Sequence, residues 1–151
     1  MDRAMRAAEA FESGYNCAQA VAVSFADVLG MEEKAIARAI SGFGGGFGRL
    51  REVCGAFSGL VFVFSALYGY DDPAADTEKM EHYKNIQNLA KEFSALGTGS
   101  IICRQILDNP SSDPQPEART PEYYALRPCA RMCYNAAYIL QKYMQENPIE
   151  V

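Results

Sequence analysis

Thiols are the most reactive side chains in this chain of 151 residues, which holds five cysteines, one histidine and no tryptophan. They are Cys17, Cys54, Cys103, Cys129 and Cys133. Four of them fall where a helix is expected to begin. Cys17 follows Asn16, a side chain of the helix-capping type. Cys54 lies shortly after a glycine-rich run. Cys103 stands just past Ser100, another capping residue. Cys129 follows Pro128, a residue type favoured at the first helical position. Helix starts carry unpaired N–H groups and partial positive charge. That environment favours the thiolate, which is both the nucleophile and the metal-ligating form of cysteine. Arg49, Arg51 and Arg104 lie close in sequence and would add to it, so a low thiolate pKa is expected at Cys54. The same placement suits small buried residues, since free cysteine packs well in cores. Cys133 follows Cys129 by one helical turn and is expected to be a core residue.

No Cys-x-x-Cys pair occurs, so neither a zinc ribbon nor a thioredoxin-type dithiol is expected. A shared site must therefore assemble from separate helices. Cys17, Cys54, Cys103 and Cys129 then have two uses. They could ligate an iron–sulfur cluster or another metal, or they could cycle between thiol and disulfide, in a pairing the sequence leaves open. A third reading is a non-enzymatic helical binding or assembly module with structural cysteines. No Ser/His/Asp arrangement is readable. His82, between Glu81 and Tyr83, is expected on a solvated helix face.

The run from Gly42 to Gly48 contains five glycines in seven residues. It lacks the Gly-Lys-Ser/Thr ending of a phosphate loop and the spacing of a dinucleotide fingerprint. Gly44, Gly45 and Gly46, with Gly55, are candidates for backbone that wraps a thiolate, a cluster or a small anion. A tight interhelical turn explains the run equally well. Gly55 and Gly59 are four apart, which lets a neighbouring helix come close; glycine there costs about 1 kcal/mol against alanine, so close packing should offset it.

Cys54-Gly55-Ala56-Phe57-Ser58-Gly59 resembles the motif of a bacterial and archaeal family of redox-active proteins named for CGAxxG and further single cysteines. The resemblance covers nearly the whole chain. Tyr15-Asn16-Cys17-Ala18-Gln19-Ala20 is similar to the family's first cysteine region. Cys103-Arg104-Gln105-Ile106-Leu107 is similar to the third, and Cys129, ahead of Ile139-Leu140, to the fourth. Cys133 stands outside the pattern. The resemblance implies a redox role with Cys17, Cys54, Cys103 and Cys129 as the functional set. A similar domain accompanies haem-binding segments in a split-Soret type of cytochrome, where an iron–sulfur centre is suggested. The haem attachment motif Cys-x-x-Cys-His is absent from this sequence.

The elements that must position these residues are helical. Ala4, Ala7, Ala8 and Phe11 share one face of a first helix ending at Ser13-Gly14. A second runs from Asn16 to Gly30, with Ala20, Val21, Phe25, Val28 and Leu29 inward. A third covers Glu32 to Ile40. An apolar helix is predicted from about Leu50 to Leu67. A polar one spans Ala74 to Leu96 with a stripe of Met80, Tyr83, Leu89 and Phe93. A short helix capped by Ser100 follows, then a proline-bearing surface loop over 108–120. A last helix starts at Pro121 or Pro128 and reaches about Glu146, with the C-terminal tyrosines packing it. The expected fold is an all-α bundle of about four main helices plus short ones, in one domain over 1–151.

The net charge of -5 argues against a nucleic-acid partner. The uncharged stretch Val53–Tyr70 reads as a buried central helix and not a membrane span. The first residues carry no apolar leader, so a cytoplasmic place with reduced cysteines is expected. The partner would be an unidentified redox protein or a small oxidant or reductant, and a homo-oligomer through an apolar helix is plausible.

Overall fold

The computed structural model describes residues 2–108 and 110–149. The described chain is all-α, with one isolated antiparallel bridge between Val53 and Ile102. Helix α1 (Arg3–Glu12) begins where the Asp2 side chain accepts from Met5 N. It buries Ala4, Ala7 and Phe11, the face expected from the spacing. Helix α2 (Cys17–Val23) opens with a reciprocal capping box. Asn16 accepts from Gln19 N at 2.9 Å, and the Gln19 side chain accepts from Asn16 N at 3.0 Å.

The expected second helix is broken in two. Ser24 turns its hydroxyl back onto Val21 O at 2.6 Å, which competes with helix continuation. Phe25 then enters the core, and α3 (Ala26–Leu29) ends at left-handed Gly30. Val28, expected inward, is exposed. Helix α4 (Glu33–Ile40) buries Ile36 and Ile40.

Helix α5 (Gly55–Tyr68) forms the centre, burying Ala56, Phe57, Leu60, Val63 and Phe64. It starts later than predicted. Leu50 is 66% exposed, and residues 52–54 are tied to 101–103 by the bridge and its flanking backbone hydrogen bonds instead of extending the helix. Burial of Phe64 or Leu60 contributes about 2–3 kcal/mol each. The two small residues do what their spacing predicts. A Cβ at Gly59 would meet Ala18 O at 2.7 Å, and one at Gly55 would meet Cys17 Sγ at 2.5 Å. Both glycines therefore face α2, and their loss of helix propensity is offset by direct helix–helix contact.

Helix α6 (Asp76–Leu96) buries His82, Leu89 and Phe93. The stripe is shifted from the predicted one. Met80 and Tyr83 are exposed, and His82 with Ile86 takes their place. His82, expected in solvent, is 7% exposed. It stacks on Phe64 at 5.2 Å and shares a 3.0 Å hydrogen bond with Ser65. Burial pushes its pKa down, so the ring is neutral at pH 7.

Helix α7 (Cys103–Ile106) is a single turn. Ser100 does not cap it but accepts from Ile102 N at 2.9 Å, which leaves Cys103 as the first helical residue. Helix α8 (Pro121–Leu126) is capped by Thr120, and α9 (Cys129–Glu146) packs on α1, α2 and α5. Tyr143 meets Phe64 and Tyr68 edge-on, whereas Tyr138 is exposed. No helix among the described residues is long and apolar enough to cross a membrane.

Arg3 staples α1 to the α2–α3 break. Its guanidinium is bidentate to Asp27 at 2.7 and 2.9 Å, donates to Ser24 O at 2.8 Å and lies over Phe25. The Arg3 bond holds the Asp27 carboxyl down at about 2 from 3.8. A depressed acid contributes stability above its unfolded pKa and loses it as pH falls through the folded one. Asp27→Asn should therefore cost about 1 kcal/mol in urea melts at neutral pH, a figure discounted for the half-exposed carboxylate. The gap between variant and parent should close as pH falls from about 4 to 2; a gap that stays constant to pH 2 would contradict the staple.

Candidate functional site

Four helix starts point at one place. Cys17, Cys103 and Cys129 are the first residues of α2, α7 and α9, and Cys54 is the N-cap of α5. All four line one cavity of about 290 Å³. The capping box fixes Cys17. The bridge fixes the next two: Cys54 N donates to Ile101 O at 2.7 Å, and Cys103 N donates to Glu52 O at 2.6 Å. These bonds run across adjacent residues of two short extended segments, so Cys54 and Cys103 cannot move independently. Cys133 lies behind the wall. It is fully buried, and its thiol donates to Cys17 O at 3.6 Å.

The glycine run is a turn of left-handed backbone. Gly44–Phe47 is a helical turn broken by Gly45 and Gly46 at φ of 68° and 71°. Phe47, Gly48, Arg49 and Arg51 continue at positive φ. Side-chain-bearing residues in that region cost of order 1–2 kcal/mol each. The turn brings Arg49 and Arg51 to the cavity wall. Gly44, Gly45 and Gly55 line the cavity, but Gly46 does not. Its task is close approach: a Cβ there would meet Cys103 Cβ at 2.7 Å and Glu52 N at 2.7 Å.

All five cysteines are free thiols. Burial is the largest influence on the ionisation of Cys17, Cys54, Cys129 and Cys133 and opposes the helix starts. It raises the Cys17 thiol, against N–H groups of Gly45 and Ala18 that favour charge. It raises Cys54 well above its ordinary value, with negative charge on Cys17 adding to the effect and the Phe57 and Ala56 amides opposing it. Cys129 is pushed up to about 12, again by burial first and then by Cys17. Cys133 is raised well above 9.0 by burial. The expectation of a low thiolate pKa at Cys54 is therefore corrected. Desolvation of the charged sulfur outweighs the amides of its helix.

Cys103 differs in its neighbour. Arg51 Nη1 lies 3.7 Å from its sulfur. Arg51 is 5% exposed. Arg49, Arg119 and Arg127 also reach the cavity wall, together with one carboxylate, Glu117. Arg119 and Arg127 were not singled out from the sequence, nor was Glu117. Glu117 and Arg119 sit in the proline-bearing loop, where no periodicity marks an inward side, and Arg127 is the residue that ends α8. The loop is less of a free surface segment than expected: Arg49 donates to Asp113 O at 2.5 Å and Arg51 to Ser111 O at 2.9 Å, folding it over the cavity. Among the described residues, no three His, Cys, Asp or Glu side chains stand in an arrangement that holds a metal ion.

Two outcomes follow. Alkylation of the native protein, mapped by mass spectrometry, should accelerate at Cys54 and Cys129 through pH 10 with no plateau near 7. A plateau near neutrality at Cys54 would show that the helix start wins. Gly46→Ala should cost about 3 kcal/mol, because both the left-handed φ and the Cys103 contact resist a side chain. Gly48→Ala, with φ of 56° and nothing within 4 Å, should cost only about 1 kcal/mol. Equal costs in denaturant melts would remove the close-approach account.

No curated protein and no solved structure matches the chain. One family model does, over residues 15–143, under the description "Putative redox-active protein (C_GCAxxG_C_C)". The match takes in all five cysteines, the left-handed glycine turn and the arginines of the cavity, and the chain belongs to this family.

Proposed function

We propose that the cavity is a thiol redox centre in which Cys103 exchanges with an incoming disulfide and a second cavity cysteine, Cys17 or Cys129, resolves it. The observation that carries this reading is that four cysteines line one cavity, with the Arg51 guanidinium in hydrogen-bond reach of the Cys103 sulfur. The Arg51 charge is placed to steady negative charge on that sulfur as it attacks or leaves.

The exchange balances without further reagents. Cys103 sulfur attacks one sulfur of an acceptor disulfide, on a partner protein or a small molecule. The acceptor's S–S bond breaks, a mixed disulfide forms, and the first acceptor thiol leaves with one proton. The second cavity cysteine then attacks the mixed disulfide at Cys103. The protein is left with one new S–S bond and the acceptor with two thiols, having received two electrons and two protons. Raised thiol pKa values at Cys17 and Cys129 suit a resolving role, because those groups stay protonated until a neighbouring mixed disulfide forms. A cytoplasmic setting, where such thiols are kept reduced, fits this cycle.

An iron–sulfur centre asks for the same donors, and four thiolates match its usual ligand number. The arrangement does not match it, since no three potential ligands among the described residues converge as a metal site.

Treatment of the reduced protein with a mild disulfide oxidant should remove two titratable thiols and leave a bridge between Cys103 and Cys17 or Cys129 in peptide maps. Cys103→Ser should abolish the loss, while Cys133→Ser should leave it intact. Oxidation that proceeds unchanged in Cys103→Ser would overturn the assignment of the attacking thiol. No bridge among the four in the parent protein would overturn the thiol cycle itself. Anaerobic iron and sulfide reconstitution is the control: a stoichiometric coloured product would put the cluster reading in its place.

A further inference from the structure

The arginines beside the thiols outnumber their acid. Glu117 Oε1 lies 3.8 Å from Arg49 Nη2, 4.0 Å from Arg51 Nη2 and in direct contact with Arg127. Three guanidinium groups thus share one carboxylate. Arg127 lies closest, and its bond to Glu117 is the leading influence that holds the carboxyl below its ordinary value. Glu117 reaches Arg49 and Arg51 only at long range, and their short hydrogen bonds go to the loop carbonyls of Asp113 and Ser111. Arg51 Nη2 is buried and has no hydrogen-bond partner among the described residues. A buried, under-paired guanidinium donor is costly, and such groups are normally satisfied by an acid or a bound ligand. Arg119 is different. Its guanidinium donates to Phe11 O and Tyr15 O and lies over three aromatic rings, so it is satisfied within the fold.

We propose that Arg49, Arg51 and Arg127 form a binding site for a small oxyanion beside the Cys103 thiol, with Glu117 as the internal carboxylate that such an anion displaces or joins. Three features carry it. Arg51 lines the cavity, its Nη1 reaches the Cys103 sulfur, and its buried Nη2 has no hydrogen-bond partner among the described residues, with Glu117 4.0 Å away. The cavity, at about 290 Å³, is at the small end of ligand pockets, which fits an anion of a few heavy atoms and not a nucleotide. The protein as a whole carries -5, so a three-arginine cluster is a local exception to its charge. Planar guanidinium forks match the paired oxygens of carboxylates and tetrahedral oxyanions. An anion held by Arg51 would lie next to the sulfur that the redox reading uses. The inference therefore deepens that reading by naming the charge class of the substrate. It rests on the redox reading for its use and on the arginines alone for its binding.

Sulfate is the probe, because it is redox-inert and needs no thiol. Thermal unfolding of the reduced full chain is followed in sulfate and in chloride at matched ionic strength. Sulfate should raise Tm in a saturable way and chloride should not. Glu117→Gln, which removes the internal competitor, should tighten sulfate binding about tenfold; Arg49→Gln and Arg51→Gln should each weaken it about tenfold or more. Arg51 is buried, so if its variant fails to fold the Arg49 variant decides. Cys103→Ser should bind sulfate as the parent does. A sulfate effect no larger than chloride's, or one indifferent to both Glu117→Gln and Arg49→Gln, overturns the site. Sulfate binding in a protein that forms no disulfide would leave the anion site standing and remove only the thiol cycle.

Discussion

Two backbone hydrogen bonds, Cys54 N to Ile101 O and Cys103 N to Glu52 O, are the constraint on which the cavity depends. They join chain segments about fifty residues apart in sequence, and each begins or ends at a cysteine. The bond to Ile101 stops residues 51–53 from extending α5 backward, so Cys54 becomes an N-cap. The bond to Glu52 sets Cys103 as the first residue of α7. Gly46 lies directly beneath Cys103, where any side chain would push the two segments apart. The left-handed turn before it follows from the same need, since it reverses the chain in few residues and delivers Arg51 to the Cys103 sulfur. Backbone strain of a few kcal/mol in this turn is tolerable only because the bridge and the α2–α5 contact hold its ends.

Burial and helix polarity act on these sulfurs in opposite directions. The N–H groups at the helix starts favour thiolate, and the low-dielectric wall disfavours it more strongly. The thiols also oppose one another, because charge on Cys17 raises Cys54, Cys129 and Cys133. A cluster built in this way admits little negative charge on its own sulfurs. Once one sulfur is tied up in a bond, its charge no longer opposes the rest, and ionisation of the next becomes easier.

Much of this was legible in the residues. Ala4, Ala7 and Phe11 gave α1 its inward face, and the Asn16–Gln19 pair marked the start of α2. Cys17 was readable at a helix start from Asn16 and Cys129 from Pro128, because such signals are local chemistry; Ser100 marked the region of Cys103 without capping its helix, and Cys54 was expected inside a helix from Leu50, not at its N-cap. Three things were not. The break at Ser24 depends on a hydroxyl turning back onto Val21 O, which an apolar pattern continuing through Phe25 conceals. His82 is inward because Phe64 and Ser65 offer it a ring and a hydroxyl, a contact between helices that no spacing within α6 reveals. The loop carrying Glu117 lacks any periodicity, so its position over the cavity is set by Arg49 and Arg51 binding its carbonyls. The acid shift expected at Cys54 failed for a related reason: a helix start is visible in sequence, but the depth at which it is buried is not.

The convergence of helix starts also explains why the cavity is lined with arginine and still draws an acid from a distant loop. Each helix of two turns or more presents a partial positive charge at its N-terminus, and α2, α5 and α9 present theirs to the same space. Adding Arg49, Arg51 and Arg127 places further positive charge where the field already has that sign. Protonated thiols offset none of it. Among the described residues lining the cavity Glu117 is the one carboxylate, and it is held by a loop and not by a helix. Core packing of α5 against α2 and α9 supplies the stability that keeps these like ends together. A fold that needed only a dry core could have met that requirement with alanine at the cysteine positions and with a neutral residue at Arg51. Excess positive charge around shielded thiols instead fits a site that waits for an anion, since the same field that disfavours an empty cavity strengthens its hold on an anion once one enters.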